Sequence, residues 1–345
     1  MAHQVEKMFS VREMPWHYSE TGKDGRTAIL DSAPKTWEDF RIAAGLDWDP
    51  IEEAPFRREI VINEETGEPE EKFTQVPGFK WIVRSDNHLI LDSAIDSYEL
   101  ITNSDMGDII TTMMEGHKME FETGGCLDDG RKVWALLRMG DFLEIKGDPS
   151  PTARYIALLN AHDGHGACKA IATNVRVVCA NTWHYADTDS KASATCFSFH
   201  HRAQWRQRMA ELQADVKAAL SGATKEMEAY AELADDLIQM PVTAEQETRF
   251  VEEFIYPTKE EHRLKPKALE NVTVARQELS LILQSPTCEG LDRTAYKLTQ
   301  AAGEWTDHIR GFKNGQTYLG RTVFTAEQRK IRAVNLARLA HQAVL

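Results

Sequence analysis

The chain has 345 residues, of which 42% are hydrophobic and 27% are charged, and its formal net charge is -14. This length allows a sizeable core and roughly two domains, while the acidic balance argues against a general affinity of the whole surface for nucleic-acid phosphates. Because no apolar stretch approaches the ~20 residues of a membrane span and the N-terminus lacks the apolar segment of a secretory signal, we expect a cytoplasmic protein with no membrane partner.

The first clear element is a short helix over residues 36–44. Thr36 is a typical N-cap, acidic residues follow it in the first turn, and Gly45 marks the end. Further along, SDMGDIITTMMEG has apolar residues at helical spacing and a closing glycine, Gly116, which predicts a second helix.

The acidic residues are concentrated in residues 47–71, which we describe as an acidic loop. This segment holds ten carboxylates against Arg57 and Arg58, a local charge of -8. Inside it, RREIVIN and the following KFTQVPGFKWIVR are rich in β-branched and aromatic residues, and we predict that they pair as a hairpin.

A second hairpin is predicted in KMEFETGGCLDDGRKVWALLRM. Alternating residues flank a turn to which we assign Gly124, Gly125, Asp128, Asp129 and Gly130, all residues that accept positive φ.

Residues 153–186 hold the densest pattern of the chain. ARYIALLNA and ACKAIA read as strands around the turn HDGHG, and from Thr173 apolar residues recur at helical spacing as far as Ala186. We therefore predict a helix over 173–186 that carries Arg176 and Trp183 along one side, with a strand continuing through VRVVC as the alternative.

The surrounding residues, 160–210, are basic. They carry a local charge of +3 and five histidines, and this asymmetry is typical either of a binding face or of ordinary solvated surface. TCFSF is predicted as the last strand, and an amphipathic helix is predicted over His200–Leu220.

From residue 223 the pattern is helical, with breaks at Pro241, Pro257, Pro266 and Pro286. The sequence therefore predicts an α+β fold. Residues 1–200 would form a β-hairpin-rich core with an antiparallel sheet, and residues 201–345 a helical region.

Four motifs together resemble a phage- and plasmid-borne protein family that is catalogued as a domain of unknown function. They are RVVCANT at Arg176–Thr182, MPWH at residues 14–17, the histidine pair His200 and His201 in FSFHHRAQW, and TQAAGEWTDHIR near the last helix. Trp183 stands where the resemblance leads us to expect leucine. The resemblance implies a mobile-element origin and a bacterial cytoplasmic location, and it brings no activity.

The order of elements is also similar, at the level of fold alone, to phage single-strand annealing recombinases. We therefore expect a non-enzymatic, oligomeric protein that binds or anneals single-stranded DNA. Basic side chains would hold phosphates and two tryptophans would stack on bases. The candidate contacts are Lys169, Arg176, Trp183, Arg202, Trp205, Arg206 and Arg208.

Two alternatives stay open. His162, Asp163 and His165 in the HDGHG turn are acceptable ligand types for a divalent metal and would make a metal-dependent enzyme such as a nuclease, although their spacing fits no closed zinc pattern. The acidic segment could instead bind a host factor by imitating nucleic acid. The five cysteines contain no CxxC, and no phosphate-binding loop, GxSxG or dinucleotide fingerprint occurs, so we expect no cofactor.

Overall fold

The computed structural model describes residues 5–11, 27–140, 142–164, 166–176, 181–183, 195–199, 201, 220–221, 224–225, 227–310 and 327–342. Its strands are β1 (Val5–Ser10), β2 (Thr27–Ile29), β3 (Pro50–Glu53), β4 (Phe56–Ile62), β5 (Pro69–Gln75), β6 (Phe79–Arg84), β7 (Ile90–Ile95), β8 (Met119–Leu127), β9 (Lys132–Met139), β10 (Thr152–Ala161), β11 (Cys168–Arg176), β12 (Asn181–Trp183) and β13 (Thr195–Phe199).

The helices complete the predicted α+β fold, with most strands in the N-terminal part and most helices in the C-terminal part. They are α1 (Trp37–Ala44), α2 (Asn103–Met114), α3 (described over 227–238), α4 (Ala244–Ile255), α5 (Pro266–Ile282), α6 (Ala295–Glu304) and α7 (Glu327–His341). Among the described helices, none has the combination of length and apolarity that crossing a bilayer requires.

The main sheet runs in the order β12-β11-β10-β9-β8-β1-β2, and β13 also pairs with β11. All of its pairings are antiparallel except that between β1 and β2. β11 is the strand on which two later segments converge, because β12 pairs with its Asn174–Arg176 end and β13 pairs with its Cys168–Ile171 end.

The predicted helix at residues 36–44 is confirmed as α1. The Thr36 side chain accepts a hydrogen bond from the Asp39 N–H at 3.1 Å, and Gly45 ends the helix with φ 70°, as N-cap and C-cap chemistry requires. α2 is confirmed as well, and it begins with a capping box in which Thr102 and Asp105 satisfy each other's backbone N–H groups.

The core of the N-terminal part lies between the main sheet and these two helices. Phe40 of α1 packs against Phe9 and Phe121 of the sheet, and Met106, Ile109, Ile110 and Met113 of α2 are fully buried in the same cluster. The hairpin of β8 and β9 is confirmed, but Gly124 and Gly125 belong to strand β8 and not to its turn.

The predicted helix over 173–186 is wrong in the residues that are described. Asn174, Val175 and Arg176 continue strand β11 and pair with Trp183, Thr182 and Asn181 of β12. β11 also pairs along its length with β10, where Val175 packs against Ala153 and Tyr155, so this ladder overrides the helical spacing. The strand alternative is correct as far as Arg176, and Val177–Ala180 lie outside the described residues.

The acidic segment forms β3 and most of a separate two-stranded hairpin. β4 pairs with β5 from Phe56↔Gln75 to Ile62↔Pro69, as predicted for RREIVIN and KFTQ. The remainder of the predicted partner, FKWIVR, is β6, which joins a different sheet between β3 and β7.

A second core lies among the C-terminal helices. Phe250 and Phe254 of α4, Leu298 of α6 and Ala337 of α7 are buried within it. The loop before β10 reaches this core, because Ile145 belongs to the same cluster and the Tyr296 hydroxyl donates to the Asp148 carboxylate at 2.8 Å.

Candidate functional site

The described part of the predicted DNA-contact set centres on β11. Lys169 lies within this strand, opposite Leu159 of β10 and Ser198 of β13. Arg176 ends the strand, and Trp183 pairs with Asn174. The other four residues, Arg202, Trp205, Arg206 and Arg208, lie outside the described residues.

The register divides these positions into two groups. The end of β13 at Phe199 pairs with Cys168, so the chain that leads to Arg202 leaves from the Lys169 end of β11. Arg176 and Trp183 lie at the opposite end, seven residues along the strand from Lys169, which is about 23 Å at ~3.3 Å per residue. Seven is an odd spacing, so positions 169 and 176 belong to opposite faces of the sheet. A ligand strand on one face would therefore meet only one of the two groups directly.

His201 fixes the chain immediately before Arg202. It is 5% exposed, and its Nε2 lies 3.2 Å from the Asn160 Oδ1. Since the Asn160 Nδ2 donates to the Ile101 carbonyl at 2.7 Å, Oδ1 is the acceptor and His201 carries its proton on Nε2. Its Nδ1 lies 3.3 Å from the Ile101 N–H and 3.2 Å from the Glu99 carbonyl oxygen.

An aromatic contact also holds the His201 ring. The ring of Tyr98 stacks on it with centroids 4.8 Å apart and an interplanar angle of 5°. Burial, followed by the negative charges of Asp163 and Asp92, raises the pKa of Tyr98 above its usual value, so this phenol remains neutral. Asp163 therefore lies close to this histidine pocket, and it is only 8% exposed.

His162 lies deeper in the same polar network and is fully buried. The Asn103 Nδ2 donates to the Trp48 carbonyl at 2.8 Å, so the Asn103 Oδ1 accepts from the His162 Nε2 at 3.0 Å. Burial, followed by the charge of nearby His201, lowers the pKa of His162 to about 3. Its Nδ1 has no hydrogen-bond partner among the described residues.

These contacts define a buried network of two histidines and two asparagines, which we call the histidine network (His162, Asn103, Asn160 and His201). It ties the start of α2, the end of β10 and the residue before Arg202 to one another. Apart from the His162 Nδ1, these side-chain groups are hydrogen-bonded, and buried polar contacts of this kind fix side chains in a unique arrangement. The role that they support is structural anchoring.

The metal alternative receives no support from this geometry. No three His, Cys, Asp or Glu side chains within the described ranges are placed to share a metal ion. The His162 Nε2 donates a hydrogen bond to Asn103, and Asp163 lies close enough to Tyr98 for its charge to raise the pKa of the phenol. His165 is outside the described residues.

The sequence reasoning singled out His162 in the HDGHG turn, and the effect of His201 on the pKa of His162 indicates that the two histidines lie close together. It missed Asn103 and Asn160. The available signal was an asparagine at the end of the apolar strand ARYIALLNA, since a buried amide needs partners.

A second buried polar group lies in the C-terminal core. The Lys330 Nζ contacts the Asp307 Oδ2 at 2.6 Å, with side-chain exposures of 5% and 0%. Nearby, the Thr287 hydroxyl donates to the Glu304 carboxylate at 2.6 Å. The helix widens into a π-turn over Trp305–Ile309, directly after Glu304, a feature that often accompanies functional positions.

Fold and site together define an α+β protein with a large antiparallel sheet, a buried histidine network and a helical C-terminal core. A family model for a domain of unknown function, DUF932, matches residues 90–336. Because this match covers more than two thirds of the chain, the protein belongs to that family. No curated protein and no solved structure gave a significant match.

The family match includes both buried polar groups, while α1, β3 and the β4–β5 hairpin lie before it. It brings no activity, so any function has to be argued from this chain's own residues.

Proposed function

We propose that this protein binds single-stranded DNA and promotes strand annealing as a homo-oligomer, without catalysing a reaction. The observation that carries the proposal is the convergence on β11. Lys169, Arg176 and Trp183 lie on this strand or pair with it, and the chain enters the basic segment Arg202–Arg208 from its Lys169 end.

The distribution of charge along the chain supports the same location for DNA binding. The chain is acidic overall, but residues 160–210 carry a local charge of +3. Phosphate neutralisation dominates binding to nucleic acid, so a DNA strand would avoid the acidic segment and bind the basic residues at one end of β11. Basic and aromatic residues side by side are the usual composition of single-strand grooves.

The histidine network contributes preorganisation. His201 is held by Asn160 and stacked against Tyr98, so the chain is already ordered at the residue before Arg202. Ordering one backbone residue costs about 1–2 kcal/mol, and an anchored start lowers that cost when the following arginines bind phosphate.

The biological setting belongs to the proposal too. The motifs RVVCANT and TQAAGEWTDHIR motivate a role in phage or plasmid recombination, in the cytoplasm of a bacterial host. The order of elements motivates the comparison with annealing recombinases, which is a likeness of fold alone.

The direct test is fluorescence anisotropy with a labelled single-stranded oligonucleotide over a salt series. The test variant combines Arg202→Ala, Arg206→Ala and Arg208→Ala. The control combines Lys35→Ala, Lys132→Ala and Arg249→Ala, three exposed positions away from β11 that give the same change of net charge.

We expect the test variant to bind more weakly and to show a shallower dependence of log affinity on log salt, by about 2 for three lost phosphate contacts at ~0.7 each. The control should retain the salt slope of the original protein. Absence of binding by the original protein at low salt, or equal losses in both variants, would overturn the proposal.

Base stacking is tested separately. Trp205→Ala and Trp183→Ala should each weaken binding by roughly 1–3 kcal/mol and slow the annealing of complementary labelled strands. If both variants anneal DNA at the original rate, the two tryptophans are not stacking platforms.

A further inference from the structure

The hairpin of β4 and β5, residues 56–75, extends from the rest of the fold, and we call it the hairpin arm. In the described part of the chain each of its strands pairs only with the other. Almost every residue of the two strands is exposed. A two-stranded hairpin is marginally stable by itself in water, so a packing partner would stabilise it.

Strand alternation gives the hairpin arm one apolar face. Phe56, Ile60 and Ile62 alternate along β4, and Phe73 on β5 lies opposite Arg58 on the same face. These four side chains are 59%, 68%, 65% and 60% exposed. Four large apolar groups on so short a hairpin form a patch and not scattered surface residues.

The charges on this face cancel. Arg58 and Glu71 belong to it and form an ion pair at 2.5 Å. The arm as a whole has six glutamates against three basic residues, a net charge of -3, but Glu64, Glu65 and Glu68 lie in the tip between the strands. The apolar face is therefore neutral, and two such faces would not repel each other.

The charges and apolar side chains of this face indicate which partner it can bind. The acidic tip would repel nucleic-acid phosphates. On this face four apolar side chains surround one central cation and one central anion, so the face is complementary to itself, which is the condition for a two-fold interface. At roughly 100 Å² of exposed surface for each large side chain, two copies would bury about 800 Å² of apolar area, which is in the range of weak, reversible interfaces.

We propose that the hairpin arm is a self-association surface, on which the apolar face of one copy packs against the same face of a second copy. Phe56, Ile60, Ile62 and Phe73 form the contact, and Arg58 of each copy exchanges its ion pair to Glu71 of the other. The inference rests on the homo-oligomer part of the proposed function and names the surface that would make it.

Sedimentation velocity on the full chain over a range of concentrations tests this contact. Phe73→Glu puts a charge on the apolar face, and Thr74→Glu puts the same charge on the opposite face of the same strand. Both positions are exposed, so both variants should fold, which circular dichroism checks. We expect Phe73→Glu to weaken self-association by at least roughly tenfold, since it removes an apolar contact and gives each face a net negative charge, so that two faces repel each other. Thr74→Glu should leave self-association unchanged.

Exchange of charges gives a second, independent test. Arg58→Glu leaves the face with two acidic side chains, at positions 58 and 71, and Glu71→Arg leaves it with two basic side chains at the same positions. Each variant should therefore associate poorly with itself, while an equimolar mixture should form a mixed dimer that is visible by native mass spectrometry.

A chain that stays monomeric at all concentrations would overturn the inference, and so would self-association that Phe73→Glu and Thr74→Glu affect equally or a mixture that forms no mixed dimer. Binding of a different protein to the face in place of self-association would also overturn it. These outcomes are separable from DNA binding, because Phe73→Glu should bind a short oligonucleotide with unchanged affinity at concentrations where the chain is monomeric.

Discussion

The Nε2 of His162 donates to the Oδ1 of Asn103 over 3.0 Å, in a part of the core where neither side chain is exposed. Asn103 is the first residue of α2 and His162 follows β10, so this single bond joins the start of the helix to the end of a central strand. Asn160, two residues before His162, accepts from His201 in a neighbouring hydrogen bond, and the residues predicted to contact DNA begin directly after His201.

We expect Asn103→Leu to lower the free energy of unfolding by roughly 1–3 kcal/mol, because it leaves the His162 Nε2–H buried without a partner and removes one of the two donors to the Trp48 carbonyl. Urea unfolding followed by circular dichroism measures the change. Asp108→Ala, at an exposed position of the same helix, is the control and should have little effect. Equal stability of Asn103→Leu and the original protein would contradict the role of this bond.

The histidine network should also make stability depend on pH. The pKa of His162 is lowered to about 3 in the folded protein, from 6.5 for the unperturbed side chain, so below pH 6.5 the unfolded chain binds this proton and the folded chain does not. Stability from this group is complete above pH 6.5 and falls by up to about 1.4 kcal/mol for each pH unit below it.

His162→Gln keeps a donor for Asn103 and removes the titrating group. The difference in unfolding free energy between pH 7.5 and pH 5.0 should therefore be smaller in this variant, by about 2 kcal/mol. All other titrating groups are shared by the two proteins, so parallel pH profiles would show that His162 does not titrate in this way.

Sequence could predict the elements whose signals are local. Thr36 and Gly45 bound α1 through contacts within a few residues, and Asp129 and Gly130 adopt the positive φ expected in the turn between β8 and β9. The helix over 173–186 failed because its apolar spacing suited a helix, whereas pairing with β10 decided the conformation of Val175.

The candidate site was harder to predict for the same physical reason. Asn103 lies 59 residues before His162 in the sequence, and Asn160 lies 41 residues before His201. The position of Asn160 at the end of an apolar strand suggests burial, but no local pattern names the histidine that each asparagine binds; only the fold brings the pairs together.

Gly124, which the sequence assigned to a turn, lies in strand β8, and a long-range contact explains why this position is a glycine. A Cβ built at Gly124 would lie 2.1 Å from the Cζ of Phe40, so the glycine is what allows α1 to pack on β8. We expect Gly124→Ala to destabilise the protein by about 1–3 kcal/mol through overpacking, measured by thermal unfolding. Phe40→Leu added to Gly124→Ala should recover part of this loss, and strictly additive effects would contradict the steric explanation.

The buried ion pair between Lys330 and Asp307 should stabilise the C-terminal core chiefly by keeping each charge compensated. Both side chains are almost inaccessible, at 5% and 0% exposure, and their contact joins α7 to the π-turn that follows α6.

Lys330→Met leaves the Asp307 carboxylate buried without its cation, which we expect to cost about 3–5 kcal/mol of unfolding free energy. Asp307→Asn added to Lys330→Met removes the uncompensated charge, so the double variant should be more stable than Lys330→Met alone. Asn335→Ala, at an exposed position of α7, should have little effect on unfolding in urea. If the double variant is no more stable than Lys330→Met, packing at the π-turn and not charge compensation holds α7 in place.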